Sequence, residues 1–274
     1  MDSKSACRFV AAVILATMLA ACGGGDAPAV CPPNVHPITC TPRPGADGDD
    51  ATPPVAANDS AASAGLWQGT TSNNRTAYAV LLSSGTYWVI YTVAGDPTLI
   101  AGVTEGTATS IGGTFTSTDA RDFNLEGLGV SSASVTGRYV PQESLSGTIR
   151  YPSQTIQFSA TYVRAPAASL AQVAGTYDGV SATMNGSEAT TVTVNANGAF
   201  TGSTAGGCHF TGTAKPRTEV AVFDVSVTFG GGACVGGTST VTGIAFYDIA
   251  TRKLFTAGVD ATRSKVFLGL GVKQ

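Results

Sequence analysis

The feature of the sequence that most restricts its fold is a succession of short runs rich in β-branched and aromatic residues, separated by turns of Gly, Asp, Pro and Ser. In the run Glu219–Phe229, apolar side chains recur at every second position from Ala221 onwards, while the alternate positions include Asp224 and Ser226. A period of two places one face of a strand in a core and the other in water, as in an antiparallel sheet. No segment after the first 21 residues has the 3.6-residue apolar period of a helix. The pattern therefore predicts an all-β protein.

The strand-like runs form two series, at residues 64–165 and 170–274, with about eight runs in each. The segment Ala165–Ala168 separates them. Both series begin with Ala-Gly-x-aromatic-x-Gly, at Ala64–Gly69 and again 110 residues later at Ala174–Gly179. A repeat of this length is typical of two similar domains and not of a solenoid, whose repeats span about 20–50 residues. Because closing about eight strands into a barrel removes the exposed edges, we predict two consecutive small antiparallel β-barrel-like domains, each a meander; the alternative is a single sandwich.

The first 22 residues contain a short positive segment, an apolar run and a cysteine. Lys4 and Arg8 precede Phe9–Ala21, which is uncharged and mostly apolar. This run is shorter than the about 20 apolar residues that a membrane-spanning helix needs, but it fits the hydrophobic region of a secretory signal. The sequence Leu-Ala-Ala-Cys at residues 19–22 resembles the lipobox of bacterial lipoproteins.

The lipobox resemblance implies a localisation for the protein. It implies that residues 1–21 are a lipoprotein signal peptide and that Cys22 carries the acyl chains. Two or more chains hold a protein firmly at a membrane without a transmembrane helix. In this family, Gly23 at the following position favours the outer membrane, on its periplasmic or its surface face. The alternative is an ordinary secretory signal cleaved nearby, in which Cys22 is incidental.

Residues 22–63 are rich in Pro, Gly and Asp and contain few side chains that could form a core. Such a composition predicts a disordered tether. As a random coil of about 40 residues, the tether would reach roughly 35–40 Å, which is enough to hold a domain clear of the lipid head groups.

The formal net charge is −3, and all of it arises before residue 64, because the basic and acidic residues after that point cancel. A neutral folded part argues against nucleic-acid binding, which requires a basic face. The predicted partners are the membrane, through the lipid anchor, and a protein or small ligand of unknown identity.

Two of the six cysteines fall in the signal peptide and the lipobox. The remaining four are Cys31, Cys40, Cys208 and Cys234. In an oxidising compartment the simplest pairing is local, Cys31 with Cys40 and Cys208 with Cys234. A zinc site is the alternative, because His36 lies between the first two cysteines and His209 adjoins Cys208. The close Cys-x-x-Cys spacing typical of zinc sites is missing, and we predict no metal and no cofactor.

No combination of residues in the sequence forms a recognisable catalytic set. We expect His209 to be a strand or rim residue beside the second disulfide. We expect Asp119–Asp122, which follows the predicted strand Gly113–Thr118, to be a solvated turn with a local ion pair; the alternative is a polar binding rim. Four aromatic residues could line a ligand cavity but are more simply core residues: Trp67, Tyr87, Trp88 and Tyr91.

Two consecutive eight-stranded barrels on a lipidated tether resemble, in architecture, the lobes of surface lipoproteins of the transferrin-binding and factor-H-binding type. The resemblance implies a non-enzymatic binding or envelope-interaction module. One alternative is a structural or periplasm-facing envelope lipoprotein, with an inhibitor-like or chaperone-like role. A hydrolase acting on envelope polymers is a third possibility.

Overall fold

The computed structural model describes residues 58–127 and 129–274. Cys22, Cys31, Cys40 and most of the predicted tether lie outside the described residues. Two closed eight-stranded antiparallel barrels follow each other along the chain, and both belong to one compact unit. The fold class predicted from the sequence is confirmed, and the alternative of a single sandwich is wrong.

The first barrel opens with one helical turn, α1 (Ser60–Ser63), and continues through nine strands. The strands are β1 (Gly65–Thr71), β2 (Thr76–Leu81), β3 (Thr86–Val93), β4 (Asp96–Thr107), β5 (Thr109–Ile111), β6 (Thr114–Asn124), β7 (Gly129–Val140), β8 (Ser144–Arg150) and β9 (Thr155–Tyr162). Pairing of β1 with β9 and of β4 with β6 closes a ring of eight strands. The short β5 pairs with β6 outside this ring.

The second barrel repeats this plan with a helical turn, α2 (Leu170–Val173), and eight strands. The strands are β10 (Gly175–Thr183), β11 (Gly186–Val194), β12 (Ala199–Thr204), β13 (His209–Pro216), β14 (Phe223–Phe229), β15 (Thr240–Asp248), β16 (Lys253–Val259) and β17 (Val266–Lys273). Each strand pairs with the next one along the chain, and β10 pairs with β17 to close the ring.

Two boundaries differ from those predicted from the sequence. Regular structure begins at α1, before the predicted start at Ala64, where the side chain of Asp59 accepts a hydrogen bond from the backbone N–H of Ala62 at 3.2 Å. The predicted strand Glu219–Phe229 is wrong over its first four residues. The N–H of Val222 donates to the carbonyl of Val220 at 2.7 Å, and this tight bend directs both valines into a core between the barrels.

The two Ala-Gly-x-aromatic-x-Gly segments occupy the same position in the two barrels. Each follows a one-turn helix and begins the first strand. Trp67 Nε1 donates a hydrogen bond to the carbonyl of Ser63 at 3.2 Å, and the Tyr177 hydroxyl donates to the carbonyl of Val173 at 2.8 Å. Both aromatic side chains are fully buried. Each ring therefore ties the helical turn to the barrel that follows it.

The last glycine of each repeated segment lies where the first strand packs closely against the last. A Cβ atom on Gly69 would collide with the carbonyl oxygen of Ser159, and one on Gly179 would collide with the carbonyl oxygen of Leu270. Neither position has room for a side chain, which explains why glycine occurs in both segments.

The similarity of the barrels extends into the turn after the second strand. Gly85 and Gly198 have φ of +90° and +85°, a conformation that favours glycine. Their carbonyls accept hydrogen bonds from Ala108 N at 2.9 Å and Ala214 N at 2.7 Å. The same turn is thus tied to a later part of the chain in both barrels, to the residue between β4 and β5 in the first and to β13 in the second, which supports an internal duplication.

An apolar core joins the two barrels, in addition to the core inside each. In β3, Tyr87 and Val89 face the interior of the first barrel, whereas Trp88 and Ile90 pack against the second. The second barrel contributes outward residues of β15 to β17 and the segment before β14: Val220, Val222, Ile244, Phe246, Phe255, Ala257, Val259, Val266 and Leu268. Both faces of β3 are therefore buried.

Candidate functional site

The hairpin turn between β16 and β17 connects the second barrel to the first. The Asp260 carboxylate accepts hydrogen bonds from the N–H groups of Ser264 and Lys265 at 2.7 and 2.8 Å. The Thr262 hydroxyl donates to the same carboxylate at 2.6 Å. Desolvation acts to raise the pKa of Asp260, but these hydrogen bonds outweigh it and lower the pKa to about 2. The fixed turn presents Arg263, whose φ is +53°.

Arg263 binds the first barrel through hydrogen bonds and ion pairs with two acidic residues. Its Nε donates to Glu105 Oε2 at 2.6 Å, and its terminal nitrogen donates to the carbonyls of Glu105 and Asp119 at 2.9 and 2.8 Å. The Glu105 side chain is only 10% exposed. Burial raises the pKa of Glu105, and the Arg263 guanidinium opposes that rise without cancelling it. Without Arg263, a buried acid would lack its counter-charge.

Beyond the core between the barrels, at the end of β17 away from the Arg263 turn, the barrels leave an open cleft of about 620 Å³. One wall follows β4 outwards from the core between the barrels. Val103 is part of that core, Ala101 is buried at the floor of the cleft, and Leu99 is 56% exposed. The pairing of β3 with β4 shifts register between Gly102 and Ile100, so the apolar row of β4 passes from Val103 to Ile100, which packs against the core, with Leu99 beside it in the cleft.

The facing wall follows β17 and β10 in the same way. Leu268 is buried in the core between the barrels, Leu270 packs against that core, and Val272 is 43% exposed. Val180 of β10 stands exposed beside this row. Two apolar rows therefore line a cleft whose volume falls in the 300–1,000 Å³ range of small-molecule sites.

The cleft contains two charged side chains, of which one forms an ion pair within the described residues and the other does not. Glu126 contacts Arg75, which also donates to the carbonyl of Thr92 at 2.8 Å and lies 5.3 Å from the centre of the Tyr91 ring. Lys253 lines the opposite side, and no carboxylate of the described residues lies within 4.0 Å of its Nζ. The cleft therefore combines apolar walls with one cation that lacks an ion-pair partner in the described chain.

Several other cavities of the described residues are smaller. The barrel interiors leave only about 60 Å³ in the second barrel and about 50 Å³ in the first. Another hollow between the barrels, beside Tyr78 and Tyr247, has about 250 Å³. Side chains thus fill the interiors, as expected of eight-stranded barrels, and the open cleft is the best candidate for binding.

The Asp119–Asp122 segment is not the solvated turn predicted from the sequence. It lies within β6, at a bulge, and its two carboxylates contact different groups. Asp122 is buried and accepts hydrogen bonds from the hydroxyls of Tyr91, Thr104 and Tyr151 at 2.9, 3.1 and 3.2 Å. Burial raises the pKa of Asp122, although these hydroxyls act to lower it. The structure does not bring the two acids together into one site.

The four aromatic residues considered above lie in cores and not in the cleft. Trp67 and Tyr87 face the interior of the first barrel, Trp88 faces the second barrel, and Tyr91 is buried beside Asp122.

The structure contains a disulfide between Cys208 and Cys234. His209 is exposed at the start of β13 next to this bond. Within residues 58–127 and 129–274, no three His, Cys, Asp or Glu side chains lie close enough together to hold a metal ion. In the same ranges, no helix has the length and apolar character needed to cross a membrane.

The residues of the cleft were not predicted from the sequence, although β17 carries one signal for them. In β17, Leu268, Leu270 and Val272 alternate with Phe267, Gly269 and Gly271, so apolar residues occupy both faces. The glycines lie on the inward face with Phe267, and the aliphatic row points outwards. An outward apolar row indicates a second buried surface or a binding site.

Comparisons with known proteins identify no family. No protein-family model matches the chain, and no curated protein matches its sequence. The structure is similar to the crystal structure of the isotype 1 transferrin-binding protein B from serogroup B Neisseria meningitidis, with a TM-score of 0.29 and 10% sequence identity. The similarity covers 73% of this chain and 59% of that chain. A similarity at this level assigns neither a ligand nor an activity to this protein.

Proposed function

We propose that this protein is a lipid-anchored binding module of the bacterial outer membrane, and that the cleft between its barrels is the binding site. In this proposal, residues 1–21 direct export, Cys22 carries the acyl chains, and the segment up to the first barrel tethers the folded part. The protein binds a ligand and does not catalyse a reaction.

The observation that carries the proposal is the clustering of exposed apolar side chains. Eight large apolar residues of the described chain are exposed, and three of them, Leu99, Val180 and Val272, line the cleft. Scattered apolar residues are ordinary on a protein surface, whereas a cluster in a concave site is typical of binding.

The test is binding of the full-length protein to a panel of host proteins, glycans and envelope components. Leu99→Asp and Val180→Asp place a charge in the apolar cleft and should weaken binding roughly tenfold or more, because each replaces an apolar contact with a charge that must be desolvated. Val140→Asp is the matched control, since Val140 is 47% exposed on the first barrel and outside the cleft. If no member of the panel binds, or if all three variants bind a ligand equally well, the proposal is contradicted.

A further inference from the structure

We propose that the ligand of the cleft is a single-chain fatty carboxylate, with its acyl chain between the rows of β4 and β17 and its head group paired with Lys253. This inference rests on the proposed function, because it assigns a ligand class to the same cleft.

The walls fit an acyl chain because they offer side-chain contacts and few polar groups. The outer parts of the two rows, Leu99 with Ile100 and Leu270 with Val272, are exposed or half-buried in the free protein. An acyl chain lying between these side chains would bury them, and it would extend the core between the barrels beyond Val103 and Leu268.

The backbone of the second-barrel wall argues against an extended peptide as the occupant. β10 pairs with β11 on one side and β17 on the other, and β17 pairs with β16 and β10. The ladder hydrogen bonds of these two strands are thus already made within the barrel. A peptide laid along this wall would bury N–H and C=O groups without partners there, whereas an acyl chain has no such groups.

The charges of the cleft select an anionic head group. Glu126 is neutralised by Arg75 from its own barrel. Lys253 has no ion-pair partner among the described carboxylates, although it lines the same cleft. A carboxylate at the end of the chain would supply that partner, and a neutral lipid would not.

The test uses membranes that contain the full-length protein and a photoactivatable palmitic acid as the probe. We expect cross-links on peptides that include Leu99–Ala101 or Val180–Thr183, and we expect unlabelled palmitate to compete. Palmitate methyl ester has the same chain without the charge and should compete about fivefold less well, the factor expected for one partly exposed ion pair.

Matched variants separate charge from apolar contact. Lys253→Gln should weaken palmitate competition about fivefold, whereas Arg138→Gln, at an exposed cation of β7 outside the cleft, should leave it unchanged. Val180→Asp should weaken competition about tenfold or more, and Val140→Asp should not. Melting temperatures of all four variants should equal that of the wild type, because every substituted side chain is exposed or half-buried.

Three outcomes overturn the inference: label placed outside the cleft, equal competition by the methyl ester, or unchanged competition in Lys253→Gln. If any of these outcomes is found but Val180→Asp still abolishes binding of another panel ligand, the assignment of a fatty carboxylate is wrong and the proposed binding function stands. If the cleft variants affect no ligand at all, both proposals fail.

Discussion

Trp88→Ala tests whether the two barrels depend on one another. Trp88 points away from the interior of the first barrel, yet only 5% of it is exposed because the second barrel covers it. If the barrels were independent modules, this side chain would face water, and its removal would change stability by less than about 0.5 kcal/mol.

The expected cost follows from the area that Trp88 buries. A side chain of this kind buries about 150–250 Å², which corresponds to about 4–6 kcal/mol at about 25 cal/mol per Å². Alanine retains part of that area, and substitutions of buried Trp by Ala cost about 3–5 kcal/mol. We therefore expect Trp88→Ala to lower the free energy of unfolding by about 3–5 kcal/mol.

Unfolding of the purified protein in guanidinium chloride measures this cost. Trp67, inside the first barrel, remains as the reporter for fluorescence, because the chain has two tryptophans. Circular dichroism follows both barrels together, and the two signals should change at the same denaturant concentration. Val140→Ala is the control for an exposed site. A loss below about 0.5 kcal/mol for Trp88→Ala, or separate transitions for the two signals, would refute the shared core.

Four further substitutions have defined outcomes. Arg263→Ala leaves the buried Glu105 without its counter-charge and should lower the free energy of unfolding by about 1–3 kcal/mol in the same guanidinium chloride assay. An unchanged denaturation midpoint would show that the pairing of Arg263 with Glu105 does not stabilise the protein. Gly69→Ala should prevent stable folding, seen as loss of soluble protein, because the added Cβ would collide with the carbonyl of Ser159. Replacing both Cys208 and Cys234 by Ser removes the disulfide across a sequence separation of 26 and should lower the free energy of unfolding by about 3.5 kcal/mol in the chain-entropy model. Free thiols at these two cysteines in freshly isolated wild-type protein would contradict this prediction. Cys22→Ala should abolish acylation and release the protein from membranes, and unchanged membrane retention would contradict the lipobox interpretation.

The barrels could be predicted from the sequence because their signals are local. Alternation in Phe223–Phe229 and the Asn197-Gly198 turn each depend on a few consecutive residues. Ring closure then follows from the instability of exposed strand edges. The repeated Ala-Gly-x-aromatic-x-Gly segment lies at the first strand of both barrels, where each copy forms the same tie between a helical turn and that strand.

The core between the barrels could not be predicted in this way, because periodicity does not reveal which face of a strand points inwards. In β3, Tyr87 and Trp88 are both buried, one inside the barrel and one beneath its neighbour. The pairing of Arg263 with Glu105 joins residues 158 positions apart, and neither carries a local signal for the other. Asp122 was misassigned for the same reason, since its hydroxyl partners come from three other strands or turns.

The cleft was missed because it depends on how the two barrels pack. Leu99, Val180 and Lys253 lie on different strands and come together only when β4 faces β10 and β17. The outward aliphatic row of β17 could have indicated an apolar surface, but not that its outer part remains exposed while Leu268 is buried.

Photo-cross-linking in intact cells tests the binding function most directly. A photoreactive amino acid placed at Val180 reports on the cleft, and the same residue placed at Val140 reports on an exposed position elsewhere. We expect an adduct of defined mass from Val180 and none of that mass from Val140. Equal adducts at the two positions, or no adduct at Val180, would contradict the proposal that the cleft is where this protein binds its ligand.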